Sequence, residues 1–303
     1  MKRYLTTFTL ILFAAGLIST SGKAPVHPVG KDISVLCDAL LGIESKNPTT
    51  IDEMKTFVSQ VETMAEPYFQ GKKKSVSKRE KTFQVLDDVA QYVNDIKMNG
   101  ATFDMRDGGL LLALIYHYKT ALHILTQSEQ CGPLAAAAVK NEAEAWLKLE
   151  KTLCDYYASS SYILNEGGSI SHLVSSGCAW SLAEARYNET EKMLKSGLGS
   201  SNTNVITKDK IEAKSKSVVA ELKGIADRAI HSCSDDFKEG VYFGNVSNGL
   251  NEAVANLNDD MKAWIDARIK LLSYSKDLND QVFGTTQTMS LFEKITGLAE
   301  PEK

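Results

Sequence analysis

Apolar residues in this chain recur at intervals of three and four over most of its length, and strand-like alternation is scarce, so the pattern predicts one helix after another. In "TTIDEMKTFVSQVETMAEPYF" Thr50 stands as a helix N-cap with Glu53 three residues on, the reciprocal capping pattern. Ile51, Met54, Val58, Val61 and Met64 then follow at helical spacing, and Pro67 favours a stop. A basic loop, "GKKKSVSKREK", leads into "TFQVLDDVAQYVNDIKM". We read Lys72, Lys73 and Lys74 as solvated charge, with an anion or membrane-surface contact as the competing reading. "RDGGLLLALIYHYKTALHILTQSEQCG" is more continuously apolar and is expected at the centre of a bundle.

Residues 141–196 read as two helices joined at Gly167 and Gly168. "KSGLGSSNTNV" is rich in Gly, Ser and Asn and reads as a linker. Helical spacing resumes at "ITKDKIEAKSKSVVAELKGIADRAIHSC", breaks at "EGVYFGNVSNG", and returns over residues 250–283 as one long helix. A short helix and a frayed tail end the chain. The expected fold is all-α, an antiparallel multi-helix bundle. Its expected parts are a helical domain over 32–198, a linker over 199–206, and a second helical unit over 207–298 packing on the first. "EAWLKLEKTL" at 144–153 parallels "KAWIDARIKL" at 262–271, an echo that admits either a duplication with an insertion or two similar helices.

The first residues change the picture of where these helices work. Lys2 and Arg3, the apolar run Leu5–Ile18 and the small residues Ser19 to Gly22 follow the order of a secretory signal over residues 1–22. The run is short and Thr-interrupted for a span of about 20 residues, so cleavage is favoured over an uncleaved anchor. The protein is therefore expected to be exported, periplasmic or extracellular, with no stable membrane span once the signal is gone. Losing Lys2 and Arg3 takes the formal charge from −4 to −6, which argues against a nucleic-acid partner. Cys37, Cys131, Cys154, Cys178 and Cys233 all follow the signal, where an oxidising compartment favours pairing. Five is odd, so at least one is free, buried or intermolecular, and the pairing of Cys37, Cys131 and Cys233 is open.

Cys154 and Cys178 bracket the glycine pair. On a helix advancing about 100° per residue, Trp146, Glu150 and Cys154 share one face, and Cys178, Leu182 and Arg186 share one on the returning helix. A disulfide between Cys154 and Cys178 would clamp this hairpin and stabilise it by roughly 3 kcal/mol on chain-entropy grounds. With the cysteines level, Glu150 and Arg186 are offset by about 6 Å along the helices, so we expect them to make a charge contact, with Arg186 near the Trp146 ring.

Over about residues 134–196 this arrangement resembles the LprI-like lysozyme-inhibitor family of small exported helical domains. Trp146 with Cys154 eight residues on, the loop Gly167, Gly168 and Ser169, and Cys178 with Arg186 eight residues on carry the resemblance. Glu150 and Lys151 replace the family's Arg-Asp, and Ala143 its glutamine. Trp264 and Arg268 keep the Trp-to-Arg spacing in a degenerate second copy near 207–292, but Leu272 stands where its cysteine would be. The resemblance implies a helical, non-enzymatic protein acting on a lysozyme.

No phosphate loop, nucleophile elbow, HExxH or cysteine–histidine cluster is present in the sequence, so no catalytic residue, cofactor or metal is expected. His117 and His123 are six residues apart and do not share a helix face, and read as ordinary core or boundary histidines. Asp235–Asp236 and Asp259–Asp260 read as surface charge, and Trp146, Trp180 and Trp264 as core. The leading function is an exported envelope protein that binds a protein partner, with lysozyme inhibition as the activity the resemblance implies. A structural or assembly protein is the alternative, and an unrecognised enzyme the third reading. The expected binding element is the clamped loop 155–177, with Tyr156, Tyr157, Tyr162, Glu166 and His172 as contact residues.

Overall fold

The computed structural model describes residues 32–43, 48–70, 75–98, 105–167, 170–194, 197–200, 205 and 207–298. The expected signal, Lys72–Lys74, Gly168, Ser169, the side chain of His172, part of the linker and the C-terminal tail lie outside the described residues. Ten α-helices account for almost all of the description: α1 Ile33–Leu41, α2 Ile51–Ala65, α3 Lys78–Met98, α4 Met105–Gln130, α5 Pro133–Leu164, α6 Ile170–Leu194, α7 Lys208–Ser232, α8 Asp235–Lys238, α9 Val241–Leu272 and α10 Leu278–Gly297. Among the described residues there is no strand, and no helix is long and apolar enough to cross a membrane.

Local signals set several of these ends. Thr50 Oγ1 accepts from the Glu53 amide at 3.2 Å and Glu53 returns the bond to the Thr50 amide at 3.3 Å, the expected reciprocal cap. Pro67 lies in the single 3-10 turn Glu66–Tyr68 that follows α2. The expected long helix over 250–283 is corrected at both ends. α9 already begins at Val241, so the Gly- and Asn-bearing stretch is helical, because Leu250 and Ala253 continue a stripe it buries. The break falls instead at Ser273–Asp277, where Asp277 caps α10 by accepting from the Asp280 amide at 2.9 Å. The start of the linker is fastened to that break: Gly199 donates to the Tyr274 carbonyl at 2.7 Å beside an isolated antiparallel bridge, Leu198 to Ser275.

The centre of the bundle is built from two long pairs, α4 with α6 running parallel and α5 with α9 running antiparallel, joined where α5 packs on α6. α4 is central, as its continuous apolar composition predicts. The register of α5 on α9 can be read from contacts: Glu142 meets Arg268, Trp146 meets Trp264, and Thr152 meets Asp260. Positions rise on one helix as they fall on the other, so the two segments of the sequence echo lie side by side with their tryptophans at the crossing. One cluster of buried side chains runs from Leu36 to Ile295 and spans both sides of the linker. Each fully buried Leu, Ile or Phe in it contributes about 1.5–3 kcal/mol.

All five cysteines are free in the structure, so the disulfide clamp is corrected to a pair of neighbouring thiols. Cys154 and Cys178 are both buried at the α5–α6 contact, with no bond between them. Burial, and then the Cys178 contact, push the Cys154 thiol well above its usual pKa.

Candidate functional site

The crossing of α5 and α9 encloses polar chemistry. Glu142, Trp146 and Glu150, at i, i+4 and i+8 on α5, are all buried, as are Asp260, Trp264 and Arg268 at the same spacing on α9. α6 adds Arg186 and Glu189, and α10 adds Thr288. Two arginines and two glutamates close a ring. Arg186 donates to Glu142 and, at 2.7 Å, to Glu189; Arg268 donates to Glu142 at 3.0 Å and to Glu189. Arg268 Nε also reaches Thr288 Oγ1 at 3.0 Å, and Trp264 Nε1 donates to Glu142 at 2.8 Å. Each guanidinium lies over one tryptophan, Arg186 at 5.3 Å from the Trp146 ring and Arg268 at 5.8 Å from the Trp264 ring. The two indoles meet edge to face with centroids 5.1 Å apart.

The ring has no net charge, and that is what makes its burial tolerable. An isolated ion taken from water costs several kcal/mol even after relaxation, and each of these is offset by two opposite charges at hydrogen-bond distance. Burial opposes the Glu142 carboxylate, but Arg186 and Arg268 outweigh it and hold its pKa below the usual carboxylate value. Burial acts on Arg268 in the same sense, against charge; with the like charge of Arg186 it outweighs Glu142 and draws the Arg268 pKa down to about 10. Both shifts leave Glu142 and Arg268 ionised near pH 7.

Two smaller polar nodes flank it. His117 Nε2 lies 3.1 Å from Glu150 Oε1, and Trp146 Nε1 donates to Glu150 Oε2 at 2.9 Å. Burial works against a charged His117, but the Glu150 charge and hydrogen bond outweigh it and raise the pKa. Asp260 accepts from Thr152 Oγ1 and Lys148 Nζ, both at 2.7 Å. Beside the ring, Arg186 Nε and Thr120 Oγ1 have no protein partner and face a cavity of about 10 Å³, room for a single water.

Arg186 is near Trp146 as expected, but its expected partner Glu150 is corrected to Glu142 and Glu189. In the antiparallel hairpin Arg186 is level with Trp146, so Glu142 and Glu150 are equally far along α5 in opposite directions. Glu189 and Arg268 stand on the Glu142 side and complete a neutral ring there, while Glu150 is engaged by His117. Glu142, Glu189, Thr288 and the roles of His117 and Asp260 were missed. A signal existed: the echo extended two residues upstream aligns Glu142 with Asp260, an acid four residues before each tryptophan and on its core face.

The expected binding loop is corrected too. α5 runs on to Leu164 and α6 starts at Ile170, so most of 155–177 is helix. Tyr156 and Tyr157 turn inward: Tyr156 donates to the Leu222 carbonyl at 2.8 Å and Tyr157 to the Ile295 carbonyl. They anchor α7 and α10 to α5 and are not available to a partner. Tyr162 and Glu166 remain at the end of the hairpin. Glu166 adopts φ 48° and Gly167 φ 98°, the left-handed turn that reverses the chain. The Glu166 carboxylate accepts from the Ser234 amide at 2.7 Å, tying this turn to the start of α8. Tyr162 packs on Phe237 at 6.1 Å, and Phe237 on Phe243 at 5.6 Å. Beside this aromatic row Leu164 is 48 % and Tyr242 71 % exposed. The α5–α9 register, with Gly249 beside Ser159, places Tyr242 level with the turn that follows α5, so these exposed side chains share one end of the bundle.

The buried cluster offers no open nucleophile, since its charges are sealed and matched to one another. Among the described residues no three His, Cys, Asp or Glu side chains converge as metal ligands would. Compared with known proteins, the chain matches no family model, no curated protein and no solved structure.

Proposed function

We propose that this chain is an exported, non-enzymatic binding protein of the cell envelope, which engages a protein partner through the hairpin end of its bundle. The observation that carries this reading is the aromatic end itself. Leu164 and Tyr242 are exposed over a row of Tyr162, Phe237 and Phe243, and the turn beneath them is fixed by the Glu166–Ser234 bond. Large apolar and aromatic side chains on a rigid support bind with little ordering cost. The resemblance of Trp146, Cys154, Gly167, Cys178 and Arg186 to the lysozyme-inhibitor pattern makes a lysozyme the first partner to test.

The test is cell-wall lysis by several lysozyme types at physiological salt, where charge attraction between an acidic protein and a basic enzyme is screened beyond about 8 Å. Wild type is expected to slow at least one of them, and the L164D/Y242D variant to lose that effect. Equal inhibition by the variant would move the site away from the hairpin end. Inhibition of none would remove the inhibitor reading in favour of a structural or assembly protein, and turnover of a wall substrate would favour an enzyme.

A further inference from the structure

A second site lies away from the hairpin end, on the outer side of the charged ring. α6 and α10 run antiparallel and touch closely at one end. A Cβ on Gly284 would lie 3.8 Å from Met193 Cγ, and Glu189 and Thr288 share Arg268. Beyond that contact the helices leave an open groove of about 290 Å³. Ala185 and Leu291 are its apolar side chains; the rest of its lining is polar.

Both carboxylates in the groove are already engaged. Glu189, 3 % exposed, forms the floor and is neutralised by Arg186 and Arg268. Glu184 accepts from the Tyr116 hydroxyl at 2.8 Å. What remains is unspent: among the described residues Lys192 and Lys294 have no ion-pair partner, and the side chains of Ser181, Asn188, Gln287 and Ser290 have no hydrogen-bond partner. In a chain of formal charge −4, this groove presents two free ammonium groups and four free neutral dipoles.

The two lysines stand at opposite ends. With Met193 level with Gly284, Lys192 is level with Thr285, and Lys294 lies nine residues further along α10, roughly 14 Å at 1.5 Å per residue. Their flexible stems can lean inward, but a compact anion reaches only one of them. The volume sits at the lower bound of about 300 Å³ for small-molecule sites, so the occupant is small.

We propose that the α6–α10 groove binds a small elongated dianion, a dicarboxylate by chemical class, with one acidic group on Lys192 and the other on Lys294. Asn188, Gln287 and Ser290 hydrogen-bond the carboxylate oxygens that the two ammonium groups leave unpaired, and the methylenes between them lie along Ala185 and Leu291. Titration calorimetry on the full mature chain tests this with succinate, glutarate and adipate as probes, against acetate, inorganic phosphate and glycerol. One of the dicarboxylates is expected to bind more tightly than acetate and phosphate. Lys192→Gln and Lys294→Gln should each weaken that binding about fivefold, the effect of one charge pair at a solvent edge. The double variant should bind the dicarboxylate no better than acetate, while its melting temperature without ligand stays that of wild type, since both lysines are exposed. Absence of dicarboxylate binding, undiminished binding by the double variant, or equal binding of glycerol would each overturn the proposal. Lysis inhibition plays no part in this readout, so the groove and the hairpin end stand or fall separately.

Discussion

Replacing Arg268 by Met tests what the buried ring does. Arg268 is 0 % exposed, donates to Glu142, Glu189 and Thr288, and lies against Trp264. Methionine keeps most of the apolar stem and packing, so the substitution isolates the guanidinium. Without it the ring carries one net negative charge, Glu142 and Glu189 share Arg186 alone, and Thr288 loses a donor. Removing one member of a buried ion pair costs about 3–5 kcal/mol, because the partner left behind is charged and dry. Domains are stable by about 5–15 kcal/mol in all, so R268M is expected to fold with a large loss. Pairing it with Glu142→Gln restores neutrality around Arg186 and Glu189. The double variant should therefore be more stable than the sum of the two single losses by about 1–3 kcal/mol.

Urea unfolding at pH 7 measures the four corners of this cycle through the transition midpoint, with an unchanged slope showing that the native state has not loosened. The acid limb gives a second readout. The folded Glu142 pKa is depressed, so its contribution is fully present above the unfolded carboxylate value of about 4.3 and is lost as pH falls through the lower folded value. In R268M that depression shrinks, and its part of the stability lost on acidification disappears. A loss under about 1 kcal/mol in R268M, or a double variant as unstable as the summed singles, would refute the reading of a ring held by mutual charge compensation.

His117 is raised above its ordinary value by Glu150, so its stabilisation is fully present below about pH 6.5 and is lost as pH rises through the folded pKa. The gap in urea midpoint between wild type and His117→Gln should be widest on the acid side of that range and narrow upward; a flat or widening gap would count against a charged pair. Non-reducing peptide mapping of the purified protein should return Cys154 and Cys178 on separate peptides, the hairpin being held by packing alone. A peptide joining the two would show that the α5–α6 contact closes further than this.

What was legible in the sequence is what is encoded locally. Thr50 and Glu53 form their cap within four residues, and the apolar run of α4 needs no partner to mark it as central. The helix–Gly–helix hairpin was likewise visible, but its length was not read far enough. Tyr156, Ser160 and Ile163 continue the buried stripe of α5 past Cys154 at i, i+4 and i+7, and that period outweighs a loop bracketed by cysteines. Asp277 with Asp280 marked the start of α10, yet the Gly and Asn residues near 244–249 drew the break to the wrong place. Those glycines cost the helix locally, and packing along α5 compensates.

The buried ring could not be read the same way, because nothing local decides it. Glu142 and Glu150 are symmetric choices for Arg186 on α5; only the arrival of Arg268 from the far side of the linker makes one of them correct. This also suggests why such chemistry sits in a core that Leu and Ile could fill. Apolar stripes on four long helices tolerate a slip of one turn, since a leucine meets another leucine. The ring closes in one alignment of α5, α6 and α9, and a slip of one turn, about 5.4 Å, carries a buried charge away from both of its partners. The ring therefore acts on register more than on total stability. In that case neutralising the whole ring with apolar residues should leave a stable helical protein whose tertiary packing is less uniquely ordered, and the loss would appear in near-ultraviolet dichroism of Trp146 and Trp264 before it appears in helix content.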